Sequence, residues 1–195
     1  MLSGMDASGV TELRAALAGS PLLDATRSFA GTLRTAVTRR TARGLLLVGP
    51  AEHEPWHLAA HLADEAAWSE VPQLAPSLIR HQPVGPAVGL DRLSAARRGE
   101  TVLVVTPRAS GAPLLERVAD ARRGGAVVLA LEAGDGELAA LAHEQLTVDG
   151  SDEPDGPGFD LVQHLVSAAA GERARARSRL ARLVRQFSAE PVNRW

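Results

Sequence analysis

Three histidines and a glutamate recur in this chain at a spacing that could allow them to bind a metal ion. His53, His57 and His61 are followed by Glu65, at intervals of four residues. Side chains four residues apart lie on one face of a helix, and neutral imidazoles with a carboxylate one turn away can converge on a divalent ion such as zinc. The pattern predicts a candidate metal site on this helix face, with a polar helix face that binds no metal as the alternative.

A second candidate site lies in the segment TPRASG, at residues 106–111. It follows the apolar run VLVV and precedes an amphipathic stretch that ends in a glycine pair, an order that indicates strand, loop and helix. The first N–H groups of a helix suit a phosphate oxygen, and Arg108 could add a bidentate contact. The alternative is structural, with Ser110 or Gly111 capping the helix and Arg108 solvated.

Composition excludes several kinds of catalysis. The 21 basic residues are all arginine, and cysteine is absent. A Schiff-base amine, a P-loop lysine, a thiol nucleophile, a disulfide and a zinc–thiolate site are therefore excluded. A hydrophobic content of 45% is typical of a soluble globular protein, and we find neither a bilayer-length apolar run nor a signal-peptide pattern. We expect a cytoplasmic protein.

Apolar periodicity predicts the elements that position these residues. Continuous apolar runs indicate buried strands at 45–48, 102–105 and 126–131, and the segment QLTV at 145–148 predicts a fourth strand. Helical spacing indicates helices that begin near residues 10, 21, 55, 91, 112, 138 and 159. Residues 69–89 carry four prolines and predict mostly irregular structure, with a short edge strand at Leu78 and Ile79. Strands that alternate with helices imply right-handed crossovers. The expected fold is an α/β three-layer sandwich with a mainly parallel sheet.

We interpret residues 1–195 as one domain, with N-terminal helices at 1–43, an α/β core at 44–150 and C-terminal helices at 159–187. The last helix is amphipathic and rich in arginine. A nucleic-acid partner is disfavoured because the chain has no tyrosine, three phenylalanines and a net charge of −2. Apolar stripes on two helices, Phe29, Leu33 and Val37 on one and Leu180, Leu183 and Phe187 on the other, indicate a homodimer or homotetramer.

The order of elements resembles the sugar isomerase (SIS) domain family. The resemblance lies in LLLVG, VLVVTPRASGAP, GGAVVLALEA and ELAALAHEQLTV, read in that order. In that family the second strand is followed by Ser-x-Ser-Gly-x-Thr, which holds a sugar phosphate. One register places Thr106 and Arg108 on the two serines and Gly111 on the threonine. The other matches Ser110 and Gly111 to the Ser-Gly pair.

The resemblance implies a phosphosugar-binding protein that needs no cofactor. Binding would use the loop at 106–111 together with Gly49 at the end of the first strand. An aldose–ketose isomerase of the phosphoheptose-isomerase kind is one alternative, with Glu52, His53 or Glu54 as general base. Phosphoheptose isomerases carry a His-x-x-x-Glu metal pair, which His61 and Glu65 resemble. A non-catalytic regulatory or scaffold protein that acts through protein partners is the other alternative.

Overall fold

The computed structural model describes residues 21–148 and 158–172. Within these ranges the chain forms a six-stranded parallel sheet with helices on both faces. The strands are β1 (Gly44–Val48), β2 (Ser77–Arg80), β3 (Val88–Gly89), β4 (Glu100–Thr106), β5 (Val127–Glu132) and β6 (Glu144–Thr147). The helices are α1 (Pro21–Thr38), α2 (Trp56–Trp68), α3 (Asp91–Ser94), α4 (Ala112–Arg123), α5 (Gly136–Leu141) and α6 (158–172).

Strand β4 shows why the central strands read as continuous apolar runs. It is buried along its whole length. Successive side chains of a strand point to opposite faces, so Leu103 and Val105 join the hydrophobic cluster on one face of the sheet, while Val102 and Val104 join the cluster on the other. A strand that is covered on both faces has no solvent side on which polar residues would alternate.

The two hydrophobic clusters define the outer layers. Helices α1, α2 and α6 pack on one face of the sheet, and α3, α4 and α5 pack on the other. The α1 stripe of Phe29, Leu33 and Val37 is buried within the chain, against the first of these clusters. The expectation that this stripe supports a dimer surface was wrong, because the sheet and its neighbouring helices already cover it.

The strand order β3-β2-β1-β4-β5-β6 creates a switch point between β1 and β4. From β1 the chain crosses through α2 to β2, over one face of the sheet, and from β4 it crosses through α4 to β5, over the other face. The loops that follow these two adjacent strands therefore diverge. Such divergence leaves a crevice at the carboxyl edge of an open parallel sheet.

The predicted fold class, a three-layer α/β sandwich with a parallel sheet, is confirmed. One detail was wrong. Strand β2 is not the edge strand, because it pairs with β1 on one side and with the two-residue strand β3 on the other. Strand β3 is too short to show periodicity, and two prolines precede it closely in the sequence.

The helix expected at 10–17 and the part of the C-terminal helices beyond residue 172 lie outside the described residues. No helix in the described ranges is both long enough and apolar enough to cross a membrane.

Candidate functional site

The candidate site lies at the carboxyl edge of the sheet, where the loops after β1 and β4 diverge. A small cavity of about 30 Å³ separates the two loops there. Its lining residues are Pro50, Glu52, His53, Pro107 and Arg108. The fold thus brings residues that lie more than fifty positions apart in the sequence to one crevice, and three of the predicted site residues, Glu52, His53 and Arg108, are among them.

A larger cavity, of about 530 Å³, shares Glu52 and His53 with the small one. It is bounded by the β1 loop, the start of α2, the end of β2 and the first residues of α6. Its lining residues are Ala51, Glu52, His53, Glu54, Pro55, Trp56, His57, Arg80, Phe159, Asp160 and Gln163. This lining is rich in hydrogen-bonding side chains and carries more carboxylates than arginines, so it suits hydroxyl groups better than an isolated anion.

Gly49 ends β1 and is required there by close backbone packing. A Cβ atom at this position would lie 2.2 Å from the carbonyl oxygen of His53 and 2.8 Å from that of Val105. The Gly49 carbonyl oxygen lies 2.8 Å from Nε2 of His81, which therefore carries the proton and donates. Gly49 positions the loop through its backbone, and it has no side chain to offer a ligand.

Glu54 anchors the β1 loop to the end of β2. Its Oε2 lies 2.7 Å from Nη2 of Arg80 and accepts a hydrogen bond from Arg80 Nε at 2.9 Å, and its Oε1 accepts one from the backbone N–H of His81 at 3.1 Å. A carboxylate held by these donors is stabilised in its charged form and kept in place. Glu54 therefore fits the role of a positioning residue better than that of a mobile general base.

His53 lies between the loop and α6. Its ring packs edge-on against Phe159, with the ring centroids 6.0 Å apart. Glu52 is exposed and lines both cavities. Of the three predicted catalytic residues, Glu52 is the one whose carboxylate is open to a molecule in either cavity.

The loop after β4 is built around the buried hydroxyl of Thr106. This hydroxyl donates to the carbonyl oxygen of Arg108 and accepts from the Arg108 N–H at 3.3 Å, so it closes the turn. The side chain of Arg108 is exposed. The buried Thr106 side chain thus holds the turn in its conformation, and the side chain of Arg108 is exposed at the crevice.

The start of α4 is left without a side-chain cap. Gly111 occupies the N-cap position with extended backbone, and no side chain of the described residues bonds to this helix end there. Ser110 is 7% exposed, and its Oγ has no hydrogen-bond partner among the described residues. A buried hydroxyl beside an uncapped helix start can serve an anionic ligand.

Two buried carboxylates at the end of β5 support this loop. Asp135 accepts hydrogen bonds from the backbone N–H groups of Ser110 and Leu138, at 2.6 Å and 3.0 Å. Glu132 accepts from the N–H of Asp135 at 2.7 Å and from the hydroxyl of Thr147. The loop after β4 is therefore hydrogen-bonded to the segment that joins β5 to α5.

The predicted metal pair lies away from this crevice, between α2 and α6. The ring of His61 packs against the ring of His164, with centroids 4.1 Å apart, and the Glu65 carboxylate abuts Gly171 of α6. Burial lowers the pKa of both histidines, and for His164 the neighbouring His61 lowers the pKa further. No group of three or more metal-ligating side chains is present within residues 21–148 and 158–172, so a metal ion at His61 and Glu65 stays a prediction.

Sequence reasoning missed the residues that close the larger cavity from the side. Arg80 is the last residue of β2, so the rule that ligands lie at carboxyl strand ends could have identified it. Phe159 and Asp160 come from α6. Their place at the crevice depends on how a distant helix docks, and no local pattern encodes that.

No protein-family model and no curated protein sequence matches this chain. Solved structures do. The sugar isomerase domain of the RpiR transcription factor from Sphaerobacter thermophilus is 16% identical, with a TM-score of 0.57, and the match covers 94% of this chain and 99% of that one.

Two further similar structures contain a ligand. The Vibrio vulnificus NanR protein complexed with ManNAc-6P is 14% identical, with a TM-score of 0.55 over 93% of this chain and 70% of that one. The Escherichia coli CFT073 protein c3406, in complex with a sugar phosphate, is 13% identical, with a TM-score of 0.56 over 87% of this chain and 86% of that one. At these identities the likeness shows the fold alone. The chain has the fold of SIS domains, as its sequence predicted.

Proposed function

We propose that this chain is a SIS-like protein that binds a phosphorylated sugar in the crevice between the loops after β1 and β4. The observation that carries the proposal is the convergence of Glu52, His53 and Arg108 around one cavity at the switch point of the sheet. Open parallel sheets bind their ligands at this place. Two proteins of the same fold hold sugar phosphates, which in the Vibrio vulnificus protein is ManNAc-6P.

The phosphate group is assigned to the β4 side of the crevice. Arg108 supplies a guanidinium that can contact two phosphate oxygens, and the uncapped start of α4 supplies the positive end of a helix dipole. Because the N–H of Ser110 is already bonded to Asp135, the backbone donors for the phosphate would be those of Gly111 and Ala112. The buried Ser110 hydroxyl adds a further donor.

The sugar is assigned to the larger cavity. Carboxylates of Glu52 and Asp160 accept hydrogen bonds from hydroxyl groups, and the Gln163 amide both donates and accepts. Trp56 is 60% exposed at the border of this cavity and offers a flat apolar wall to one face of a sugar ring. The cavity volume of about 530 Å³ is within the range of small-molecule sites.

Aldose–ketose isomerisation is a second candidate function, and the position of Glu52 favours it. This carboxylate lines both cavities, so it lies between the sites assigned to the phosphate and to the sugar. An isomerase moves one proton from C2 to C1 and another from the C2 hydroxyl to the C1 carbonyl oxygen, through an enediol. A positioned carboxylate can carry the proton between the two carbons without a cofactor. A divalent metal at His61 and Glu65 would require a further ligand from outside the described residues.

We also propose that the protein forms a homodimer or homotetramer and that it is cytoplasmic, as the sequence predicts. The arginine-rich segment 173–187, from which part of the oligomer prediction came, lies outside the described residues. Light scattering at micromolar concentration measures the oligomer directly. A mass near 20.5 kDa, that of one chain, would contradict it.

Thermal unfolding with a panel of hexose, amino-sugar and heptose phosphates tests the binding function. A ligand at about 100 times its Kd stabilises the native state by about 2.7 kcal/mol, which corresponds to a Tm shift of roughly 5–10 °C. Arg108→Ala should remove most of the shift, and Arg27→Ala, which removes an exposed arginine of α1, should retain it. If no sugar phosphate shifts the Tm of the parent protein, the proposal is wrong.

A further inference from the structure

A second charged cavity lies at the opposite, amino-terminal edge of the sheet. It has a volume of about 690 Å³ and is lined by four arginines with no acidic side chain. Two of the arginines belong to the connection from α1 to β1, and two to the connection from α3 to β4. The lining residues are Arg40, Thr41, Ala42, Arg43, Arg97, Arg98 and Gly124.

The segments that carry these arginines are fixed to each other by backbone contacts. The N–H of Arg43 donates to the carbonyl oxygen of Gly99 at 2.8 Å. Gly99 has a φ of +98°, and a Cβ atom there would lie 2.4 Å from the carbonyl oxygen of Thr41. A Cβ atom at Gly124 would lie 2.2 Å from the carbonyl oxygen of Ala96. Glycine allows the three segments to approach this closely, so the arginines project from a rigid base.

The four guanidinium groups are not neutralised within the described part of the chain. All four arginines are exposed, and none forms an ion pair with another residue in the described ranges. Some arginines elsewhere do form ion pairs, since Arg80 pairs with Glu54 and Arg92 pairs with Glu100. Four unpaired positive charges around one cavity repel each other and favour an anion between them.

Helix dipoles explain only part of this cluster. Arginines near the C-terminus of a helix interact favourably with its negative end, and Arg40 and Arg43 follow α1 closely. Arg122 and Arg123 lie in the last turn of α4, where they already interact favourably with the negative end of that helix dipole. Residues 97 and 98 follow only the four-residue helix α3, whose dipole is small. The Arg97 guanidinium donates to the carbonyl oxygen of Ala96 at 3.4 Å, so a purely structural role leaves the charge of Arg98 unexplained.

We propose that this cavity binds an anion that carries two or more adjacent phosphate groups. A single phosphate group brings at most two negative charges and would neutralise only part of the cluster, whereas a chain of phosphates can engage several guanidinium forks at once. The cavity has no aromatic side chain that could stack on a base. Recognition would therefore depend on the phosphate chain and not on the group attached to it.

The proposed polyphosphate site is separate from the phosphosugar crevice. Strand β4 runs from Glu100, beside the arginines, to Thr106, beside the crevice, and seven extended residues span roughly 20 Å. A ligand bound at one edge therefore does not contact the other edge, and each site can be tested without the other.

Isothermal titration of the full-length protein with sodium tripolyphosphate at low ionic strength tests the proposal. We expect saturable binding, with orthophosphate and sulfate at least about tenfold weaker because each engages fewer arginines. The double variant Arg43→Gln/Arg98→Gln should raise the Kd for tripolyphosphate by about tenfold or more. The control Arg27→Gln/Arg117→Gln removes the same total charge from an exposed and a half-buried arginine that do not line the cavity, and it should stay within about twofold of the parent Kd.

Three results would overturn the proposal. Equal weakening in both double variants would show that only the total charge matters. Loss of tripolyphosphate binding in Arg108→Ala would place the ligand in the phosphosugar crevice. Tighter binding of a short DNA duplex than of tripolyphosphate, with the same dependence on Arg43 and Arg98, would assign the surface to nucleic acid.

Discussion

The carboxylate of Asp135 connects two loops at the carboxyl edge of the sheet, because its Oδ2 accepts a hydrogen bond from the backbone N–H of Ser110 at 2.6 Å. Its other oxygen accepts from the N–H of Leu138 at 3.0 Å and caps α5. One buried side chain thus starts a helix and also fixes the β4 loop that presents Arg108. The phosphate side of the crevice is held in shape by a residue that need not touch the ligand.

Asp135→Ala should therefore lower both stability and ligand affinity. Loss of an N-cap costs about 1 kcal/mol, and a buried N–H without its partner at Ser110 costs about 1–3 kcal/mol, so we expect a loss of roughly 2–4 kcal/mol in the free energy of unfolding. Urea denaturation measures this loss. Asp135→Asn, which retains a capping oxygen, is the matched control and should lose less. Equal losses in the two variants would show that the carboxylate has no special role.

Gly49→Ala should distort the β1 loop. The new Cβ atom would meet the backbone carbonyl oxygens of His53 and Val105, which cannot move as a flexible side chain would. We expect a loss of about 1–3 kcal/mol, typical of overpacking, together with loss of sugar-phosphate binding. Gly31→Ala provides the opposite control, because Gly31 lies within α1 with open space around it. That variant should gain about 0.5–1 kcal/mol from helix propensity.

The sequence predicts most of the fold because burial on both faces leaves a continuous apolar run in each long strand. Strand β4 and its helix α4 were found in this way, and the glycine pair at 124–125 ends the helix where the structure ends it. The two-residue strand β3 carries no periodicity, so its existence and the inner position of β2 could not be predicted.

The candidate site was predictable to the extent that it lies at strand ends. Glu52, His53 and Arg108 follow predicted strands, and the structure places them around one cavity. The contribution of Asp160 depends on the docking of α6, and the support from Asp135 depends on a contact between residues 25 positions apart. Neither the docking of α6 nor the contact of Asp135 can be predicted from the spacing of neighbouring residues in the sequence.

The histidine pair between α2 and α6 predicts a pH dependence of stability. Burial lowers the pKa of His61 and of His164 below the usual value of 6.5; the neighbouring histidines lower it too, while Asp64 and Asp160 act in the opposite direction. Because both pKa values are lower in the folded state, the unfolded state binds more protons as the pH falls below 6.5. The free energy of unfolding should therefore decrease from pH 7 toward pH 5.

Urea denaturation at several pH values measures this dependence. In His61→Gln/His164→Gln the decrease in unfolding free energy between pH 7 and pH 5 should be smaller than in the parent protein, because the two groups with depressed pKa values are gone. His81→Gln removes a histidine that bonds to Gly49 on another part of the surface, and it controls for loss of any single imidazole. An unchanged pH profile in the double variant would contradict the assignment.

Ligand binding in the larger cavity should change the fluorescence of Trp56. This indole is 60% exposed and lies at the cavity border, against the ring of His57 at 3.4 Å between centroids. A sugar placed against it would exclude water and shift the emission to shorter wavelength. In a protein that carries Trp68→Phe and Trp195→Phe the signal comes from Trp56 alone. A saturable binding isotherm by calorimetry without any change in that emission would place the sugar elsewhere.

Glu52→Gln separates an isomerase from a binding protein. The amide retains the size and much of the hydrogen-bonding capacity of the carboxylate but cannot accept a proton from C2 of a sugar phosphate. If the chain is an isomerase, the parent protein should exchange the C2 proton of a bound aldose phosphate with deuterated solvent. Glu52→Gln should lose that exchange by about 100-fold or more, while its Tm shift with the same ligand persists.

Glu54→Gln is the informative comparison for this test, because Glu54 is held by Arg80 and the N–H of His81. It should reduce stability and binding together, since it loosens the loop, whereas Glu52→Gln should affect exchange alone. Exchange that survives in Glu52→Gln and disappears in Glu54→Gln would assign the base to Glu54. Absence of exchange in the parent protein, with the Tm shift present, would leave a binding protein whose crevice recognises the sugar phosphate without converting it.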